Sequence, residues 1–215
     1  MAGSSSAPCP FEFCFPIGIY GSAAGAGSVG VYGTAAVGGQ FETGSGNEII
    51  GRASGSTNFR VDATGRVFAD GGFQPYGADF AESFAVVGDH GRYHPGDLLR
   101  VDPKSDRRLK LTYKPYSTLV AGIYSTKPGM LASPHHMDDP ALASEVPLAV
   151  VGIVPCKVST ENGAVRRGDL LVSSSTPGYA MRGTDRRRML GAVVGKALEP
   201  LASGKGVIEV LVTLQ

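Results

Sequence analysis

The sequence predicts an all-β protein, with a thin, intertwined, Gly-rich β-stalk leading into a compact β-rich knob that contains a duplicated unit. Three observations carry this expectation. With 31 glycines, 14 prolines and no tryptophan in 215 residues, strands, turns and repetitive backbone are favoured over helices. Beyond residue 84 the chain breaks into short runs of Val, Leu and Ile, each ended by Gly, Pro, Asp or Asn, as packed strands and their turns do. Upstream of residue 77 it is Gly, Ser and Ala with few large apolar side chains, so one copy has little there to bury. The stalk is therefore assigned to residues 1–76 and the knob to residues 77–215.

The bulk numbers exclude several classes. Twenty basic and 19 acidic side chains give a net charge of +1, so no field over the whole chain attracts nucleic acid or an anionic membrane. No apolar run approaches the roughly 18 residues of a membrane span. Residues 1–10 have neither a basic start nor an apolar run, so no signal peptide is expected; export then relies on lysis or a dedicated machine, or the chain is the tail of something longer. Cys9, Cys14 and Cys156 are an odd number, which excludes a full intrachain disulfide framework. Cys9 and Cys14 suit a bridge to each other or to neighbouring chains, and no Cys/His pair at matching spacing completes a metal site with them. Cys156, inside an apolar run, is expected to be a small buried hydrophobe. No cofactor and no metal are expected.

Along the stalk, Gly18-Ile19-Tyr20-Gly21 returns as Gly30-Val31-Tyr32-Gly33, 12 residues on. Units this small need neighbours to stack on. Residues 59–62 and 66–69, separated by Ala63-Thr64-Gly65, are expected to form a hairpin. In the knob, His94-Pro95-Gly96-Asp97-Leu98-Leu99-Arg100-Val101 is echoed by Arg166-Arg167-Gly168-Asp169-Leu170-Leu171-Val172-Ser173. In each copy Gly-Asp makes the turn and Leu-Leu enters a strand. Residues 119–124 follow the first copy much as residues 190–196 follow the second. Further strands are expected at residues 109–112, 146–158 and 207–214. Pro147 and Pro155 point to an irregular or edge strand for the second of these. The third, apolar on both faces, is expected to be central or packed on another chain.

The seam between the parts is Gly77-Ala78-Asp79-Phe80-Ala81-Glu82-Ser83-Phe84. Asp79 and Glu82 stand close together beside two phenylalanines; buried as a pair, they would have raised, coupled pKa values suited to acid/base work. The plainer reading is ordinary hydrogen bonding to backbone amides. The segment resembles the Ala-Asp-(Tyr/Phe)-Ala-Glu signature that heads the C-terminal domain of the autoproteolytic intramolecular-chaperone peptidases of phage tail-fibre and neck-appendage proteins. Residues 58–62 and 65–71 also resemble the segment that precedes such domains. The resemblance implies a homotrimer whose knob folds early and sets the three-chain register of a β-helical stalk. It further implies that Asp79 and Glu82 are the residues of a self-cleavage that falls just before them. Residues 69–78 hold no Ser, Thr or Asn to act as an internal nucleophile, so the trimer and chaperone role fits this chain better than the protease role.

Other motifs carry less. Ser105-Asp106-Arg107-Arg108-Leu109-Lys110 resembles the start of the endosialidase-type self-cleaving domain, but no helical period follows, and it is assigned to a turn of the first β-unit. His135-His136-Met137-Asp138-Asp139 is a Pro-bounded polar loop without partner ligands elsewhere. Arg166-Arg167 and Arg186-Arg187-Arg188 are expected in solvated turns or in salt bridges between subunits. The serines at 173–175 have no triad companions and are assigned to a loop. The expected function is a structural trimeric fibre or appendage protein, extracellular or on a virion-like particle. Its partners would be other fibre or tail components or a cell-surface glycan, the last calling for an exposed aromatic or Arg cleft with Tyr113, Tyr116 and Tyr179 as candidates.

Overall fold

A computed structural model describes Phe41, residues 44–136 and residues 139–213. The Gly-Tyr repeats, Cys9, Cys14, Met137 and Asp138 lie outside the described residues. The all-β expectation holds: thirteen strands are joined by turns and three single-turn 3-10 helices among the described residues. The chain divides into two compact units, residues 1–73 and 74–215.

The first unit holds a three-stranded meander, β1 (Asn47–Ala53), β2 (Ser56–Asp62) and β3 (Val67–Ala69). Ser54 and Gly55 both adopt positive φ in the two-residue turn between β1 and β2, the backbone that matches strand twist there. The β2–β3 turn is organised by Asp62. Its Oδ1 accepts from Thr64 Oγ1 (2.6 Å), Thr64 N (2.9 Å) and Arg66 N (3.1 Å), and its Oδ2 accepts from Arg66 Nε (3.0 Å). The Thr64 hydroxyl bond, backed by the two amides and the Arg66 charge, outweighs burial and holds the carboxyl at about 2. The meander has almost no core: Ile49, Ile50, Phe59, Val67 and Phe68 are all exposed.

In the second unit the strands are β4 (Asp79–Val86), β5 (Leu98–Val101), β6 (Arg108–Leu111), β7 (Val120–Tyr124), β8 (Met130–Ala132), β9 (Glu145–Ser159), β10 (Leu170–Ser173), β11 (Ala180–Arg182), β12 (Val193–Ala197) and β13 (Lys205–Thr213). Their pairings close two circuits. The first runs β4-β9-β7-β5-β6 and returns to β4; the second runs β9-β13-β12-β10-β11 and returns to β9. Equivalent pairs have equivalent directions: β6 meets β4 in parallel as β11 meets β9, and the other pairs within each circuit are antiparallel. The unit is thus a duplicated five-stranded barrel in which the two copies share one long strand, with β8 added in parallel to β4.

The repeated motif performs the same task in both copies. The N–H of His94 donates to Asp97 Oδ2 (2.7 Å), and that of Arg166 donates to Asp169 Oδ2 (2.8 Å). Gly96 N donates to Tyr124 O and Gly168 N to Ala197 O, each at 2.8 Å. Both glycines sit near φ +86°, at +87° and +85°, where a side chain would be strained. Leu99 enters the first interior with Val86, Leu109, Val146 and Leu148, while its counterpart Leu171 enters a second core with Val154, Val158, Val194 and Val210. Leu98 and Ile123 also pack into that second core, which ties the barrels together.

Two sequence expectations are corrected here. Residues 145–159 are not an edge but the shared central strand, paired on both sides; the expected irregularity is present as a register shift against β4 between Phe80 and Ala81. Pro155 faces Glu209, whose N–H and C=O turn the other way, to Glu199 Oε2 and to Leu198 N, so the missing proline N–H removes no bond to β13. Of the serines assigned to a loop, Ser174 and Ser175 lie in one, but Ser173 ends β10 fully buried, its Oγ donating to Lys114 O (2.8 Å) and accepting from Ser117 N (2.9 Å). As expected, β13 is central, Arg107 lies in the β5–β6 turn, and Cys156 is fully buried with its thiol pushed up to about 12 by burial.

Candidate functional site

The seam segment enters the second unit as the first strand of the first barrel. Its backbone is held closely on both sides. The Ile153 N–H donates to Ala78 O (3.1 Å), and the Gly129 N–H donates to Asp79 O (2.8 Å). Both neighbours depend on glycine. A Cβ on Gly152, which sits at φ +119°, would lie 2.5 Å from Ala78 O, and one on Gly77 would lie 2.4 Å from Gly129 N. Residues 77–79 are therefore clamped between two backbone stretches, beside a hollow of about 350 Å³ lined by Tyr76, Asp79, Lys127, Ile153 and Glu209.

Asp79 and Glu82 are not brought together. Three residues apart on one strand, they point to opposite faces. Asp79 is buried, its Oδ1 accepts from Ser125 Oγ (3.0 Å), and its Oδ2 is buried without a hydrogen-bond partner among the described residues. Burial pushes its carboxyl above the ordinary 3.8, against the Ser125 bond that pulls it down. Glu82 is partly exposed on the other face and pairs with Arg107 Nη2 at 3.2 Å. The two do not form a coupled acid pair in this chain. Asp79 has the surroundings of a carboxyl whose protonated form is favoured by burial.

On the inner side of β4 the next polar residue, Ser83, donates to Glu145 Oε2 (2.5 Å). Glu145 Oε1 lies 3.1 Å from His135 Nε2, and His135 Nδ1 lies 3.4 Å from Asp139 Oδ2. The polar loop is thus anchored by His135, and no cluster of metal-ligating side chains forms among the described residues. Tyr116 is structural: its oxygen accepts from Thr184 N (2.9 Å), Asp185 N (3.1 Å) and Asn162 Nδ2 (3.1 Å). Arg188 is tied to Pro115 O at 2.8 Å. Sequence reasoning missed Ser125 and Gly152, the partners that define the surroundings of Asp79. Both come from distant parts of the chain, and only the strand pairing reveals them.

Among known structures there is a likeness to this fold. The fold is shared with a phage protein. Gene product 12 of bacteriophage phi29, in the crystal structure of its pre-mature form, superposes with a TM-score of 0.52 at 16% identity over 73% of this chain. The match spans 24% of the length of that phage protein. At this identity the likeness concerns the fold. No protein-family model matches the chain, and no curated protein matches it in sequence.

Proposed function

We propose that this chain is a structural component of a phage-like appendage, a homotrimer in which residues 77–215 act as the folding and registration module for the stalk of residues 1–76. The observation that carries the reading is the meander of the first unit. Three short strands that leave Ile49, Ile50, Phe59, Val67 and Phe68 exposed cannot be stable alone, because a small sheet needs an apolar face covered by something. Neighbouring copies supply that cover. The second unit has a matching exposed row on its outer surface, where Phe80 pairs across the ladder with Met130 on one side and Val151 on the other, and Ile153 follows. The row ends at β8, a strand bonded on one edge only among the described residues, which suits strand-to-strand contact between copies. The number three comes from the resemblance of the seam segment to the chaperone family.

Kinetics give the module its purpose. A Gly-rich stalk with contacts between chains has poor local cues, so a compact nucleus that aligns three chains shortens the search. The test is the solution mass of Phe80→Glu/Val151→Glu beside the parent chain. The reading expects the variant to dissociate with the second unit still folded; an unchanged oligomer refutes the assigned surface.

The buried, half-partnered carboxylate of Asp79 favours a second reading, a single self-cleavage within residues 69–78. Asp79 would be the proton carrier there, and Glu82, on the other face, would act only through a neighbouring copy. Intact mass decides between them: one uncut species in both the parent and Asp79→Asn removes the cleavage reading.

A further inference from the structure

The first barrel contains a buried cation with no counter-ion among the described residues. Arg100 lies in β5 and is only 9% exposed; its Nε is buried with no hydrogen-bond partner. Its Nη1 donates to the adjacent Val101 carbonyl at 3.2 Å, and among the described residues no carboxylate pairs with it. Directly across the β5–β6 ladder stands Lys110, a like charge on the same face, an arrangement that destabilises a sheet. Lys110 is compensated by Asp102 at 3.0 Å. Burial raises the Asp102 carboxyl, but hydrogen bonds from Lys110 and Ser105 together with the Lys110 charge outweigh it and leave the group below its ordinary range. Asp102 is thus committed to Lys110, and Arg100 keeps an unanswered charge in a place where desolvation makes that costly.

Two hollows, of about 380 and 330 Å³, flank this guanidinium and share Arg100, Lys110 and Tyr113 as walls. The Tyr113 ring is 48% exposed, with the Arg100 guanidinium carbon 4.8 Å and the Lys114 ammonium 5.7 Å from its centroid. Arg92, Lys104 and Lys114 add positive charge at the rim, against Asp102 alone. We propose that this cleft binds a carboxylate-bearing sugar, a uronic or sialic acid residue, with its carboxylate on the Arg100 guanidinium and its ring against Tyr113. A guanidinium edge matches the planar carboxylate in a two-point bond. The hollows are of a size that holds a small ligand, and an exposed aromatic face beside polar groups suits a sugar ring. A guanidinium also binds phosphate; it is the exposed Tyr113 ring beside the charge that favours a sugar acid. The site lies within one barrel and depends on neither the stalk nor self-cleavage.

The experiment is a titration of the full chain at low salt with N-acetylneuraminic acid and with glucuronic acid, followed by chemical-shift perturbation. Glucuronic acid methyl ester serves as the neutral control and inorganic phosphate as the competing oxyanion. The expected result is saturable binding of one or both acids with Kd of about 0.1–1 mM, weakened about tenfold or more by Arg100→Gln and by Tyr113→Ala. Lowered affinity at raised ionic strength is also expected. Should Arg100→Gln fail to fold, the exposed Tyr113→Ala and Lys114→Ala variants carry the test. Absence of saturable binding, equal binding of the methyl ester, tighter binding of inorganic phosphate, or full affinity in Tyr113→Ala would each overturn the proposal.

Discussion

The duplicated barrel contains its own control, because the same turn is built twice with different burial. Asp97 is 4% exposed; besides closing its turn it binds Lys157 Nζ at 2.7 Å. Asp169 closes the equivalent turn, but it is more exposed and its pair with Arg182 Nε is longer, at 3.3 Å. Asp97→Ala removes one turn bond, about 1 kcal/mol, and leaves a largely buried ammonium without its partner, a loss of about 3 kcal/mol or more. Asp169→Ala loses the turn bond and a partly exposed ion pair, together about 1–1.5 kcal/mol. Urea unfolding of the two variants should therefore separate by about 2–3 kcal/mol at unchanged slope. Adding Lys157→Met to Asp97→Ala should recover about 1 kcal/mol or more, since the orphaned charge is then gone. Equal losses at the two aspartates, or no recovery in the double variant, would refute the view that burial of the Lys157 pair, rather than the turn itself, sets the difference.

Three further outcomes follow from the titrating groups. The folded pKa of Asp79 is raised above the ordinary 3.8, so its contribution is fully present below that value and is lost as pH rises through the elevated one. Asp79→Asn should flatten that decline and raise the urea midpoint at neutral pH, and a variant no more stable than the parent at pH 7 contradicts it. Asp62 has the opposite sign: with a folded value of about 2, its support is present above 3.8 and disappears as pH falls through about 2. The amide signals of Thr64 and Arg66 report this directly and should lose the transition in Asp62→Asn. Cys156, with its thiol near 12 and no exposure, should resist a thiol reagent in the native state of Cys9→Ser/Cys14→Ser and react at the rate of unfolding; rapid labelling would place it outside the core.

Much of the second unit was legible in the chain because its determinants are local. Gly96-Asp97-Leu98-Leu99 and Gly168-Asp169-Leu170-Leu171 each write a positive-φ turn, an aspartate that closes it and a leucine pair entering a strand, so the duplication shows in the letters. What escaped was set by pairing over long distances. Pro147 and Pro155 argued for an edge, yet β9 keeps them by placing Pro155 opposite a residue that bonds elsewhere. Asp79 and Glu82 looked like a pair by proximity in sequence, but strand alternation sends them to opposite faces, and the true neighbour of Asp79 is Ser125, 46 positions away. The one local signal that went unread is Arg100, a cation written inside the apolar run Leu98-Leu99-Arg100-Val101. A charge in a buried strand asks for a partner, and that no described carboxylate supplies one is visible only after folding.

The claim on which the functional reading rests is that the sparse sheet of the first unit is completed by other copies of the same chain. Sedimentation equilibrium of the intact protein measures this most directly. A species of three times the 22.2 kDa chain mass that persists on dilution is the predicted result. A monomer at micromolar concentration whose β1–β3 amides are nonetheless strongly protected from exchange would contradict it.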